Sequence, residues 1–159
     1  WETARSAAAA SQHNGIYGHL ATITSQAEND FLLSLAPIYS SFTGVWIGGR
    51  HPAGWLVGPE NGQTFAAAGF SNFSGNEPNN NGYAYMNIGN TYIAPGTWAD
   101  ASDAGSAQGL PHGAWDPVVG YFVEYEGGAA VPEQSSLLVF VLSLAGLWAA
   151  NRRLTRRNP

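Results

Sequence analysis

The chain has 159 residues and 16.8 kDa, the length of one domain plus an appendage. Its 45% hydrophobic and 13% aromatic residues exclude intrinsic disorder, and a charged fraction of 11%, against about 25% in soluble globular chains, excludes a coiled coil. The formal net charge is −5, there is no lysine, and residues 1–130 hold only Arg5 and Arg50 against ten carboxylates, so a phosphate backbone would be repelled and nucleic-acid binding is excluded.

In chain order, residues 1–12 (WETARSAAAASQ) are alanine-rich, with Trp1, Ala4 and Ala8 at helical spacing, and predict a first helix. The first residue is Trp1 rather than Met, and the chain reads as a fragment whose amino terminus lies upstream. His19 to Ile23 alternates apolar and polar, a short strand or an extended link. Ser25 and Glu28 form an S-x-x-E capping box opening a second helix, with Ala27, Phe31, Leu32 and Leu35 as its apolar stripe and Pro37 as its stop. Val45 to Gly49 reads as a buried strand closed by glycines. From Arg50 to Pro117, Gly, Asn, Pro, Ala and Ser dominate. Trp55, Phe65, Phe70, Phe73, Tyr83, Tyr85, Tyr92 and Trp98 anchor this stretch as an ordered long loop. Gly120 to Glu126 is the closing strand. Two helices, a few strands and a long loop make an α+β domain.

The carboxy-terminal part differs in character. Residues 127–133, a small-residue linker, end in Val131-Pro132-Glu133. Residues 134–151 carry no charge, and as a helix would span about 27 Å, close to a bilayer's hydrocarbon thickness of about 30 Å. Arg152, Arg153, Arg156 and Arg157 follow, so residues 152–159 would lie on the cytoplasmic side and the acidic body outside. A buried carboxy-terminal helix is the alternative, although such a helix normally has a polar face and this segment has none. The order Val-Pro-Glu, apolar span, arginine cluster resembles the PEP-CTERM sorting tail of exported bacterial envelope proteins, with Val131 standing where the motif has proline. The resemblance implies export to the cell envelope, a transmembrane helix that anchors the chain transiently or permanently, and handling by a membrane transpeptidase-like sorting enzyme, an exosortase.

Residues 1–126 resemble the C-type lectin-like domain. The matching pieces, in family order, are Trp1-Glu2-x-Ala4, Gly18 to Ile23, Ser25-x-x-Glu28-Asn29-x-Phe31-Leu32, Trp46-Ile47-Gly48-Gly49, Gly54-Trp55, Glu77-Pro78-Asn79-Asn80, Trp98-Ala99-Asp100 and Tyr121-Phe122-Val123-Glu124. The resemblance implies two flanking helices, small antiparallel sheets and a long binding loop. The strand expected before the first helix is missing. The family's two disulfides would fall near Ala8 and Val123, and near Tyr85 and Asp103. This chain has no cysteine, so apolar packing is expected to replace the outer pair.

In sugar-binding members a calcium ion bridges protein and saccharide, and the proline of Glu-Pro-Asn is cis. The resemblance carries over to Glu77, Asn79 and Asp100 as ligands of Ca2+ and of sugar hydroxyls, with a preference for equatorial diols. Two expected ligands are replaced, by Ala99 and, at or near its position, by Tyr83. The oxygen-rich set is therefore depleted, with Asn80, Asn81, Asp103 and Asp116 as nearby donors, and weak calcium binding or none is expected. Tyr83, in place of a polar ligand, is a candidate for stacking on a sugar face, whereas Trp98 is expected in the core.

Catalysis is not expected. His13, His19, His51 and His112 show no i, i+4 pairing, and Gly69-Phe70-Ser71-Asn72-Phe73 lacks the last glycine of a nucleophile elbow. Glu77 and Asp100 would be the only glycosidase-like pair, and they are better explained as ligands. The functional expectation is non-catalytic recognition of an extracellular glycan or exopolysaccharide. Its alternative is a metal-independent structural or protein-binding surface module with a vestigial calcium site.

Overall fold

The computed structural model describes residues 1–38, 43–79, 82–89, 94–103, 118–126 and 140–143. Helix α1 spans Glu2–Ala10 and buries Ala4 and Ala8, as its alanine spacing predicts. It stops at Ser11, whose backbone is extended and whose N–H donates to the Ala8 carbonyl at 3.1 Å. A hairpin follows that the sequence reading passed over. Strands β1 (Gln12–His13) and β2 (Ile16–Tyr17) pair antiparallel across Asn14-Gly15, whose φ angles of 50° and 81° are both positive. Asn-Gly is the residue pair that such two-residue turns favour. Strand β3 is His19–Leu20.

Helix α2, Gln26–Leu35, begins at the predicted box. Ser25 caps the Glu28 N–H at 3.2 Å, while the Glu28 carboxylate reaches back one residue further than expected, to the Thr24 N–H at 2.7 Å. It ends at Ala36, before Pro37. Of the predicted stripe Leu32 is buried, whereas Ala27, Phe31 and Leu35 are exposed and Asn29 takes their place in the buried face. Asn29 holds that face inward. Its Oδ1 accepts from Trp98 Nε1 at 2.8 Å, and its Nδ2 donates to the Gly96 carbonyl at 3.1 Å.

Strand β4, Gly44–Arg50, is the middle of a mixed sheet. Three strands emerge within the predicted long loop: β5 (Gly54–Trp55), β6 (Tyr83–Asn87) and β7 (Trp98–Ala101). The closing strand β8 is Val118–Glu124. The strand order is β3-β8-β4-β6-β7, with β5 on β4; β4 and β8 run parallel and the other pairs antiparallel.

Alternation along these strands divides the core in two. Val45, Ile47, Ala84, Met86, Trp98 and Phe122 pack with Leu32, Ile23, Trp55 and Phe65 on the side of α2 and the long loop. Trp46, Tyr85, Ala99, Ala101, Tyr121 and Val123 pack with Trp1, Ala4 and Ala8 on the side of α1. Ala8 and Val123, where the outer disulfide was expected, are both fully buried in this second cluster, so apolar packing occupies that place.

At four residues of the carboxy-terminal part the structure differs from the predicted transmembrane helix. Phe140–Ser143, within the predicted transmembrane helix, form strand β9, antiparallel to β8 with Gly120 opposite Ser143 and Val123 opposite Phe140. An apolar segment with valine and phenylalanine suits a strand, and pairing satisfies backbone groups on the β8 edge that would otherwise need water. No helix among the described residues is long and apolar enough to cross a membrane. The linker with Val131, Pro132 and Glu133, the rest of the span, and Arg152 and Arg153 lie outside the described residues.

Candidate functional site

The segment before Glu77 is tied to β7. Trp98 N–H donates to the Asn72 carbonyl at 2.8 Å, Ser74 N–H donates to the Trp98 carbonyl at 2.9 Å, and Phe73 bridges Trp98 in parallel. Trp98 itself is fully buried, its ring met edge-on by Trp55, Phe70 and Phe73, so it is a core residue as expected. Two residues further along β7, alternation returns the side chain to the same face of the sheet, and that residue is Asp100.

The chain after Ser74 then folds over the Asp100 carboxylate. Glu77–Pro78 is cis, as the resemblance implies. Asn79 N–H donates to Asp100 Oδ1 at 3.0 Å and Gly82 N–H donates to Asp100 Oδ2 at 2.8 Å. Asn79 also closes on Glu77: its Nδ2 donates to Oε1 at 2.8 Å, and its N–H reaches Oε2 at 3.3 Å. Glycine is required at position 82 by packing, since a Cβ there would stand 2.5 Å from the Ala101 backbone oxygen.

Three of the four sequence-predicted binding residues, Glu77, Asn79 and Asp100, are therefore brought together. Asp100 is buried, at 3% exposure, Glu77 is partly buried and Asn79 is exposed. Burial pushes the Glu77 carboxyl up to about 7, with a hydrogen bond to Asp100 and its charge adding to the effect. Two carboxyl groups in one partly dry place cannot both ionise freely, so the cluster favours a proton or a cation between them.

Tyr83 goes elsewhere. Its β-sheet position places it on the opposite face from Asp100, because Ala84, not Tyr83, is the residue paired with Asp100. Its ring stacks on Trp1 at 4.4 Å with 14° between planes, its hydroxyl donates to Glu2 Oε1 at 2.9 Å, and the Arg50 guanidinium lies 5.3 Å from the ring centre. It is thus a packing residue at the start of α1 and does not line the cluster. Ala99 also faces the α1 side, buried beside Trp46 and Tyr85. Asp103 accepts from the Glu2 N–H at 2.7 Å, which places this additional donor at the start of α1 too. Asn80, Asn81, Tyr92 and Asp116 lie outside the described residues.

The donors present are hard oxygens, the type calcium takes. Glu77, Asn79 and Asp100 supply at most five side-chain oxygens against the six to eight such an ion takes. Water or ligand hydroxyls would complete the set. Both Asp100 oxygens already accept a loop N–H, and among the described residues no group of three His, Cys, Asp or Glu could hold a metal. The residues fit a shared, open cation site and do not form a closed cage.

A second acidic cluster went unread in the sequence. Glu124 of β8 is 1% exposed, its Oε2 accepting from the Thr22 N–H at 3.0 Å, while the Thr22 hydroxyl donates to Glu60 at 2.6 Å. Burial pushes the Glu124 carboxyl up to about 9 despite the Thr22 hydrogen bond, with Glu28 and Glu126 reinforcing the shift. The signal available was the carboxylate inside the apolar strand pattern Tyr121-Phe122-Val123-Glu124. Compared with protein-family profiles, with curated proteins and with solved structures, the chain finds no match in any of the three.

Proposed function

We propose that this chain is a non-catalytic recognition module with a C-type lectin-like fold that binds an extracellular glycan through Glu77, Asn79 and Asp100. The observation that carries the reading is the convergence of Asn79 and Gly82 N–H groups on the Asp100 carboxylate, with Asn79 also bonded to Glu77, which gathers two carboxyls and an amide from separate parts of the chain. Each can accept a sugar hydroxyl's hydrogen bond, and Asn79 is exposed to meet a ligand. Calcium, when bound, would be held by oxygens of these three residues and would supply the positive charge on which paired hydroxyls sit. An exported, envelope-associated polysaccharide is the ligand class that agrees with the sorting-tail resemblance of Val131-Pro132-Glu133 and Arg152-Arg153.

A second reading has its own observation. The Asp100 and Glu77 oxygens accept hydrogen bonds from within the loop, so the cluster is stable as a turn without any ion. That favours a metal-independent structural or protein-binding surface module.

Thermal melting with millimolar calcium, then with EDTA, and glycan-array binding under both conditions separate the two. Under the first reading calcium raises the melting temperature, equivalent to about 2.7 kcal/mol at a hundredfold excess over Kd. EDTA reverses the rise, Glu77→Gln and Asp100→Asn lose it, and glycan binding follows it. Glycan binding without a calcium shift leaves recognition standing and removes the ion. Neither shift nor glycan binding favours the second reading.

A further inference from the structure

Three Asn-Gly pairs occur in the chain, Asn14-Gly15, Asn61-Gly62 and Asn81-Gly82. In sequence they are equivalent, yet the structure treats their glycine amides differently. The Gly62 N–H donates to the Trp55 carbonyl at 3.0 Å, and the Gly82 N–H donates to Asp100 Oδ2 at 2.8 Å. At the β1–β2 turn no acceptor among the described residues holds the Gly15 N–H. Asn14 and Gly15 are exposed, nothing lies within 4 Å of where a Gly15 Cβ would be, and each strand of this hairpin is two residues long. The preceding residue adds a chemical group. His13 Nε2 lies 3.0 Å from Asn14 Nδ2, the nitrogen that must leave if the side-chain amide is attacked.

We propose that Asn14-Gly15 is a self-modification site at which the asparagine converts to isoaspartate and aspartate through a cyclic imide, selectively over the other two pairs. The Gly15 backbone nitrogen forms a bond to Asn14 Cγ and gives up its proton. The Cγ–Nδ2 bond breaks and ammonia departs. While Asn14 is an intact amide, its NH2 donates to His13. When Cγ becomes tetrahedral, Nδ2 regains a basic lone pair; the proton released from the Gly15 nitrogen passes through solvent to His13 Nε2, which lies 3.0 Å from Nδ2 and hands it on, so that ammonia leaves. Water then opens the imide at either carbonyl. Attack at Cγ leaves aspartate; attack at the main-chain carbonyl leaves isoaspartate, with one extra carbon in the backbone between His13 and Gly15. No oxidant or reductant is consumed. Both products place a new carboxylate beside His13, and isoaspartate lengthens a turn whose register sets His13 opposite Ile16.

The test is peptide mapping by mass spectrometry during incubation of the intact folded chain at neutral pH, in parallel with the chain unfolded in denaturant. In the folded chain Asn14 converts ahead of Asn61 and Asn81, and this ranking collapses in denaturant. Equal conversion of all three in the folded chain, or an Asn14 that survives folding while reacting when unfolded, overturns the proposal. His13→Gln slows the folded-state reaction at Asn14 and leaves the denatured rate unchanged, whereas an unchanged folded rate removes the histidine from the step. Asn14→Gln, whose longer side chain disfavours the five-membered imide, suppresses the product with the hairpin residues otherwise intact.

Discussion

At the residue scale, Asp100 and Asn29 are the two buried polar groups around which the long loop and α2 are arranged. Asn29 bridges a tryptophan N–H and a glycine carbonyl, and Asn29→Leu would leave the buried Trp98 indole N–H without its acceptor, while the Gly96 carbonyl keeps the Asn72 Nδ2 donor at 2.9 Å. The expected cost is about 1–3 kcal/mol per unsatisfied group, read as a fall in the denaturant midpoint. Gly82→Ala forces a Cβ against the Ala101 oxygen and pulls the Gly82 N–H from Asp100. A destabilisation of about 1–3 kcal/mol is expected on chemical unfolding. Glu77, Asn79 and Asp100 were legible as a set only through the resemblance to the C-type lectin-like domain, which joins the two short motifs that hold them. Tyr83 was assigned to the same set because it stands at or near the place of a ligand the resemblance implies, and the sheet's two-residue period sent it to the other face.

Among the elements, α2 separates pattern from packing. Its start and end follow from local chemistry, the Ser25 cap and Pro37, and both are where the sequence predicts. Its orientation does not follow from its apolar residues, since Asn29 and Leu32 face the core while Phe31 and Leu35 face outward. Leu32→Ala should therefore cost about 2–5 kcal/mol, the range for a buried leucine. Phe31→Gln and Leu35→Gln should change stability by no more than about 0.5 kcal/mol each, as exposed substitutions do. Parallel urea titrations of the three variants check this, and a large loss at Phe31 would restore the predicted stripe. The β1–β2 hairpin was available from Asn14-Gly15 but has only two residues on each side, too few for a periodicity to register. Strands β5, β6 and β7 were hidden by the glycine, asparagine and proline around them.

For the whole molecule, Glu124 and Glu77 predict how stability depends on pH. Both carboxyls are raised from an ordinary value of 4.5, to about 9 and about 7. The folded state therefore holds these protons more tightly than the unfolded chain does. Their contribution is complete below pH 4.5 and is lost as pH rises through about 7 for Glu77 and about 9 for Glu124. Melting temperature should fall across that window, and Glu124→Gln, which keeps a neutral acceptor for the Thr22 N–H, should flatten the upper part of the decline. A melting temperature that rises with pH over the same range would contradict the assignment. Local signals by themselves determined the α+β class, the presence of α1, the ends of α2 and the β4 and β8 strands, because each depends on residues close in sequence, whereas the Glu77–Asn79–Asp100 set came from the resemblance to the C-type lectin-like domain. Only the tertiary structure decided which face of α2 is buried, that Tyr83 packs on Trp1, that Phe140–Ser143 lies as a strand on β8, and that Glu124 keeps its proton. Those outcomes depend on which distant group arrives to satisfy a hydrogen bond or exclude water, and such a partner lies beyond the reach of any sequence window.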